Sequence, residues 1–413
     1  MPERPTSSGE PEIILDLSRL LSRVPHATPT GVDRCEMAYA RGLLAAVPDR
    51  LRFAAVHPSG IYGRIPHGAV LRFLDATEER WDHKGFGSIW EMRRFAARAM
   101  AAMRPRSVRR DASAPRPCYV QASPNNLTKP ALVQSILKRE RARFFCLVHD
   151  LIPLQYPEYA RPGGAAEHEV RVRTILSSTD GVICNSHATL DALRPWMDRL
   201  GRHPSAVVAH IGTHLHRIHD DTPLPAYVTD GRPYFVCIGT IEPRKNHLLL
   251  LNLWRRMAEE RGAANIPRLI IVGRRGWENE QVIDMLERCP ALQGCVEEKG
   301  RLSDREVVAL LPGARALLMP SFAEGYGMPI AEALSLRVPV VCSDLPALRE
   351  AGAAAPVFLD PLDGPAWQST VLALEEADGD LSKQLRDRTS TWNAPSWRDH
   401  IAILLGLLHR AEQ

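Results

Sequence analysis

Short apolar runs alternate with longer amphipathic stretches along nearly the whole chain. Runs rich in Val, Ile, Phe and Cys, with little polar alternation, predict strands buried on both faces. In the first half they cover 12–17, 52–57, 118–122, 143–149, 181–184 and 206–211. Helical spacing fills the gaps at 32–46, 87–103, 128–140, 166–177 and 187–199. The second half repeats the pattern, with strands at 234–239, 268–272, 295–299, 315–319, 338–342 and 356–359. Its helices fall at 246–261, 278–288, 303–313, 328–336 and 363–376. Strand–helix alternation implies parallel sheets with right-handed crossovers. The expected fold class is α/β, with two doubly wound Rossmann-like domains that bind ligands at the carboxyl ends of their strands. The stretch 214–232 is polar, holds two prolines and precedes a strong strand, so it marks the boundary. The domains expected are 1–222 and 223–395, followed by an amphipathic helix at 396–413 after Pro395.

Composition narrows the class. A chain of 413 residues with 45% hydrophobic and 24% charged residues can bury a core in each of two domains, which excludes a disordered or fibrous protein. The apolar runs at 248–251 and 401–408 fall far short of the ~20 residues a membrane span needs. Residues 1–11 are polar and lack the apolar segment of a secretion signal. The eight cysteines form no Cys-x-x-Cys pair and mostly lie in strand-like runs, as expected of reduced buried thiols in a cytoplasmic protein. Charge divides unevenly. Residues 1–225 hold 31 Lys+Arg against 23 Asp+Glu, a net of +8, which leaves −4 of the total +4 for the remainder. The basic half suits an acidic surface.

The segment 316–332 (ALLMPSFAEGYGMPIAE) carries the most chemistry. A strand runs into a loop with Glu324, Gly325 and Gly327, and a helix begins at Met328-Pro329. Proline is favoured in a first helical turn, and the helix N-terminus offers unpaired N–H groups to an anion. Glu324 and Glu332 could accept hydrogen bonds from two parts of one polyhydroxylated ligand. They could equally be a dipole-complementing charge and a solvated helix residue. In 234–247 (YFVCIGTIEPRKNH) a buried strand ends at Gly239 and Arg244-Lys245 open the next helix, where they are expected to be exposed. Two cations at a strand's carboxyl edge could neutralise a diphosphate leaving group or be plain surface charge.

Together these segments resemble glycosyltransferase family 4, the retaining nucleotide-sugar transferases of the GT-B fold. The resemblance runs through the second half in order: GTIEPRKN, RLIIVGRRG, KGRLSDREVVALL and PSFAEGYGMPIAEALSLRVPVVCSDLPALRE. It implies two domains facing a central cleft, with the C-terminal helix crossing back to the first. It implies that Glu324 holds the donor sugar, Glu332 the ribose, and Arg244 and Lys245 the diphosphate. It places Gly31, Gly239, Thr240, Gly273, Arg301, Gly325, Gly327, Met328 and Pro329 along the donor. Thr240 departs from the family pattern, which often has an Arg directly after the strand-ending Gly. The opening DLSRLL and TPTGVDR, with HDLIPLQYPEY, look like the subgroup making bacterial surface polysaccharides, often mannosyl- or rhamnosyltransferases.

In the first half, Gly31 lies in a loop after the first strand, where a permissive backbone lets a ligand come close. His149 ends a strand and can contact the donor sugar and reacting centre, or it can pack. Asn125 and Asp150 are the expected acceptor contacts. Asn126, Asn185 and Ser186 could serve an acceptor or cap the following helix, and Ser186 is assigned to capping. The stretch 92–116 holds eight Arg beside Met92, Phe95, Met100 and Met103. That composition fits an interfacial helix on anionic lipid as well as a solvated helix and loop.

The expected activity is retaining transfer of a sugar, with mannose favoured, from a GDP- or UDP-linked donor to a glycan or a polyprenyl-diphosphate-linked acceptor in polysaccharide synthesis. The expected location is the cytoplasm, with peripheral contact at the inner face of the cytoplasmic membrane as the alternative to a freely solvated protein. The resemblance implies that the leaving phosphate takes the acceptor's proton. No metal, cofactor or nucleic-acid partner is expected. The rivals are a nucleotide-sugar epimerase or hydrolase on the same fold and an inactive membrane-associated assembly subunit. The paired glutamates argue against the first, and the Arg-Lys and Glu pairs against the second.

Overall fold

The computed structural model describes residues 10–26, 28–82, 88–106, 113–213, 228, 230–300 and 302–411. The chain divides into two compact units. The first takes in Met1–Leu154, Gly163–Gly212 and Ser396–Gln413, and the second Gln155–Pro162 and Thr213–Pro395. An eight-residue excursion from the first half of the chain therefore belongs to the second unit.

The first unit is built on β1 (Ile13–Asp16), β2 (Leu51–Val56), β3 (Tyr62–Ile65), β4 (Cys118–Gln121), β5 (Arg143–Val148), β6 (Gly181–Cys184) and β7 (Ser205–Val208). Their spatial order is β3-β2-β1-β4-β5-β6-β7. All pairings are parallel except β2 with β3. The β3 strand is absent from the sequence reading. Its residues Tyr-Gly-Arg-Ile lack a continuous apolar run, and a turn at Gly60, with φ +84°, folds it back on β2. The helix His67–Asp82 was also unread, because it follows that hairpin directly.

The helix Trp397–Arg410 belongs to this unit and buries Ile401, Leu404, Leu407 and Leu408. A Cβ at Gly42 would stand 2.6 Å from Ile401 Cγ1, so glycine lets the two helices approach. His400 fixes the register, since its Nδ1 lies 3.0 Å from the His210 carbonyl and its Nε2 2.7 Å from the Tyr39 hydroxyl. A carbonyl only accepts, so Nδ1 donates and Nε2 accepts from Tyr39. Burial lowers the His400 pKa to about 4 and keeps the ring neutral.

The second unit is built on β8 (Tyr234–Ile238), β9 (Arg268–Val272), β10 (Val296–Lys299), β11 (Leu317–Met319), β12 (Val340–Ser343) and β13 (Val357–Leu359). Their order is β10-β9-β8-β11-β12-β13, all parallel. Phe235, Ile271, Leu318 and Val341 from the sheet pack with Trp254 and Trp367 from the flanking helices. Each indole also ties its helix to a loop, with Nε1 donating to Pro267 O at 2.8 Å and to Asp360 O at 2.9 Å. All eight cysteines are free, and seven are buried.

Two acids are buried beside β1. Asp16 accepts from Ser18 N at 2.8 Å and from the Tyr119 hydroxyl. Glu36, on the helix Gly31–Ala46, accepts from Leu20 N at 2.9 Å, while its Oε2 has no partner. Burial, with the Asp16 charge adding, pushes the Glu36 pKa up to about 8. An acid raised in the folded state stabilises the fold below its unfolded pKa of about 4.5 and loses that contribution as pH climbs to about 8. Glu36→Gln keeps the acceptor and cannot ionise. Urea unfolding at pH 5 and pH 8 should therefore show a flatter pH dependence for the variant, by on the order of 3 kcal/mol. Identical pH slopes would mean that Glu36 is not held protonated.

Candidate active site

The chain leaves β8 toward β9 and β10 and then returns to β11 on the other side, so neighbouring β8 and β11 mark a topological switch point. Open parallel sheets hold ligands beyond the carboxyl ends of strands at such a point. After β8, Gly239 takes φ +149°, and a Cβ at Gly273, after β9, would stand 1.8 Å from the Gly239 carbonyl oxygen. The two glycines are required for the close approach of these loops. Thr240 is half-buried, with its methyl group packed toward Gly276. The chain then makes a tight helical turn at Pro243–Lys245, and Asn246, at φ +54°, redirects it into the helix His247–Arg261.

That turn brings the cations to the loop after β11. Phe322 N donates to Arg244 O at 2.7 Å. Arg244 Nη1 donates to Ala323 O at 2.9 Å and to Glu324 Oε2 at 2.7 Å, and its Nη2 pairs with Glu242 Oε1 at 2.7 Å. Lys245 Nζ donates to Glu324 Oε1 at 2.5 Å. The Glu324 side chain is only 7% exposed. Burial alone would raise its pKa, but Arg244 and Lys245 overcome that and hold it at about 2. Burial raises the Glu242 pKa, with Arg244 opposing. Lys245 is buried, not exposed at a helix start as the sequence suggested, because the proline turn points it inward at Glu324.

Gly327 caps the helix Met328–Ser335 at φ +101°, with Pro329 in the first turn. Gly325, Met328, Pro329 and Glu332 are all partly exposed, and Glu332 lies on the second turn of that helix. Arg301 lies outside the described residues. Sequence reasoning missed Glu242, whose signal was available as a carboxylate two positions before Arg244. It also missed an aromatic neighbour: Phe322 stacks on Tyr159 at 5.7 Å with the planes 10° apart.

In the first unit the expected residues separate into two kinds. Gly31 is exposed as the first residue of its helix and does not take a positive φ. The TPTGVDR segment forms a capping box, in which Thr30 and Asp33 exchange hydrogen bonds while Arg19 pairs with Asp33 at 2.6 Å. His149 lies with Nε2 2.8 Å from the Ala122 carbonyl, so Nε2 carries the proton. Burial lowers the His149 pKa. Asn185 Nδ2 donates to the His149 carbonyl at 2.8 Å, which gives that Asn a structural role. Asp150 accepts from Ile152 N at 3.1 Å. The Asn125 carbonyl accepts from Gln121 Nε2 at 2.5 Å, and Asn126 is a turn residue at φ +61°. Ser186 caps its helix by accepting from Thr189 N at 3.0 Å.

The family described as Glycosyl transferases group 1 matches residues 232–376. The serotype-specific mannosyltransferase WbdA of Escherichia coli is 27% identical over 291 residues, 67% of this chain and 35% of that protein. The O-antigen chain mannosyltransferase B of Escherichia coli is 37% identical over 149 residues, 36% of this chain and 38% of that protein. The chain thus spans little more than a third of the length of these relatives. Among solved structures, the sucrose-phosphate synthase of Thermosynechococcus elongatus gives a TM-score of 0.62 at 18% identity, covering 97% of this chain and 98% of that one. WaaG, a glycosyltransferase involved in lipopolysaccharide biosynthesis, gives 0.57 at 15% identity, covering 95% and 99%. These likenesses show the GT-B fold, two Rossmann-like parallel-sheet domains. Residues 232–376, which match the family described as Glycosyl transferases group 1, carry the Glu242–Arg244–Lys245–Glu324 cluster.

Proposed function

We propose that the chain is a retaining glycosyltransferase that moves a sugar from a nucleotide diphosphate to a glycan or polyprenyl-diphosphate-linked acceptor in surface polysaccharide synthesis. The observation that carries this reading is the ionised Glu324 held by Arg244 and Lys245 at the switch point of the matched domain. Mannose is the favoured sugar because relatives of two kinds are named mannosyltransferases. The nucleotide is GDP or UDP, and no metal or other cofactor takes part in the reading.

In this mechanism the acceptor oxygen bonds to the anomeric carbon as the bond from that carbon to the phosphate oxygen breaks on the same face. The acceptor's proton passes to the departing phosphate oxygen. The site's contribution is positioning and charge stabilisation. An ammonium has three N–H donors, so Lys245 can hold Glu324 and a phosphate oxygen together. Gly239 and Gly273 let the phosphates approach the backbone beside Thr240, and the N-terminus at Gly327, Met328 and Pro329 adds oriented N–H groups next to Gly325. Glu324 takes sugar hydroxyls and Glu332 the ribose. With Nε2–H committed to Ala122, the His149 Nδ1 is the ring's acceptor for a sugar hydroxyl. Asn125 and Asp150 are assigned to the acceptor.

A peripheral contact with an anionic cytoplasmic leaflet completes the reading. The helix Ile89–Ala102 buries only Ala99. Ile89 and Trp90 are 58% and 68% exposed, and Arg93 lies over the Trp90 ring at 5.4 Å. Arg94, Arg98, Arg104 and Arg106 are exposed nearby, while Arg109 and Arg110 lie outside the described residues. No helix among the described residues is long and apolar enough to cross a membrane.

Three outcomes are expected. Lys245→Ala should lower turnover at least about tenfold. It should also destabilise the fold by about 1–3 kcal/mol, because Glu324 loses a buried partner. Unchanged transfer of sugar from a panel of nucleotide sugars would remove the phosphate role. In calorimetric titration with the matched nucleoside diphosphate, Glu324→Gln should retain affinity while transfer drops, and Glu332→Gln should weaken the nucleotide by about 1–3 kcal/mol. The opposite pattern would exchange the two assignments. Finally, the protein should pellet with phosphatidylglycerol vesicles and be released by high salt, with weaker pelleting for Trp90→Ala and for Arg93, Arg94 and Arg98 replaced by Gln. Salt-insensitive or absent pelleting would leave the helix as an ordinary solvated one.

A further inference from the structure

The excursion Gln155–Pro162 joins the second unit through aromatic rings. Tyr156 and Tyr159 stack at 5.8 Å with planes 30° apart, and Tyr159 stacks in turn on Phe322. Trp277, in the loop after β9, donates from Nε1 to the Tyr159 carbonyl at 3.0 Å, which fixes its indole beside the same row. Four rings therefore gather in one place in a chain with only 6% aromatic residues. They are not hidden: Tyr156 is 39% and Trp277 40% exposed. Phe322 stands two residues before Glu324, and its N–H is held by the Arg244 carbonyl. The row thus starts two residues before the carboxylate assigned to the donor sugar and ends at the exposed Tyr156.

Exposed aromatic surface of this kind marks a ligand site when it continues into a polar one. The face of an aromatic ring is the negative end of its quadrupole. The apolar face of a pyranose presents a set of C–H bonds to such a ring, while its hydroxyls stay in water at the rim. Neither Tyr nor Trp loses much rotamer freedom on binding, and here the stack and the Trp277 hydrogen bond have already ordered them. We propose that Tyr156, Tyr159, Trp277 and Phe322 form a subsite for the sugar rings of the acceptor glycan, leading up to Glu324. This rests on the transferase reading above. It adds that the second unit binds part of the acceptor as well as the donor.

The test titrates the whole protein, saturated with nucleoside diphosphate, with oligosaccharides of about four α-linked mannose, glucose or N-acetylglucosamine units. At least one should bind the unaltered chain. Tyr156→Ala and Trp277→Ala should weaken it by about tenfold or more, and Tyr156→Phe and Trp277→Phe should stay within about threefold, because the ring and not its polar atom makes the contact. Nucleoside diphosphate affinity should be the same in all five proteins. The proposal is overturned if no oligosaccharide binds, if the alanine variants bind as the parent does, or if they lose the nucleotide instead, since the rings would then serve the base. If the parent binds an oligosaccharide through these rings but no nucleoside diphosphate at all, the subsite stands and the transferase reading falls.

Discussion

A carboxylate with 7% of its side chain exposed cannot stay ionised without partners, and Glu324 has two. That pairing sets demands on everything around it. The strand β11 must deliver Glu324 beside β8, which the sheet order does by reversing direction between them. Pro243 must curl the chain so that Arg244 and Lys245 face the same loop, and Asn246 must turn left-handed to let the helix start behind them. The glycines at 239 and 273 must lie almost in contact to close the floor. A change at any of these would leave a buried charge uncompensated, which costs several kcal/mol.

The same cluster balances its cations with acids of its own. Arg244 and Lys245 are matched by Glu242 and Glu324, so the four side chains sum to no net charge. Glu242 takes one arm of the guanidinium, while Ala323 O and Glu324 take the other. Arg244 is therefore spent largely on holding the loop, through its carbonyl as well as its side chain. The ammonium of Lys245 is the more adaptable cation, since its donors rotate where a planar fork cannot. With Thr240 in place of a cation after Gly239, that difference concentrates the expected phosphate contact on one residue.

Both sheets were largely legible in the sequence, because strands buried on two faces leave unbroken apolar runs, as IILD and RLIIV do. The hairpin strand β3 was not, since an edge strand of Tyr-Gly-Arg-Ile has no such run. Within the site, Arg244, Lys245 and Glu324 were readable from motif and spacing, and the structure brings them together. The burial of Lys245 was not readable, because it follows from a turn whose direction depends on Asn246. Nor was the membership of Gln155–Pro162 in the second unit, since nothing local in that segment names its partner Phe322, more than 160 positions away. Long-range aromatic contacts leave no periodic trace.

The two units apply one topological rule with opposite electrostatics. In the second, the switch point holds ions, with a Glu324 pKa driven down to about 2 by its cations. In the first, the strands at the reversal are β1 and β4, and burial works against ionisation of the groups beside them. Burial raises the Asp16 pKa, pushes Glu36 to about 8, and lowers His149, which keeps its proton on the Ala122 carbonyl. The cations nearby, Arg19 and Arg23, are engaged by Asp33. Neutral polar groups cost far less to desolvate than ions, whereas a buried ion needs a partner of opposite charge. The two switch points thus differ in what burial does to their acids: at Glu324 two cations overcome it, and at Glu36 nothing does.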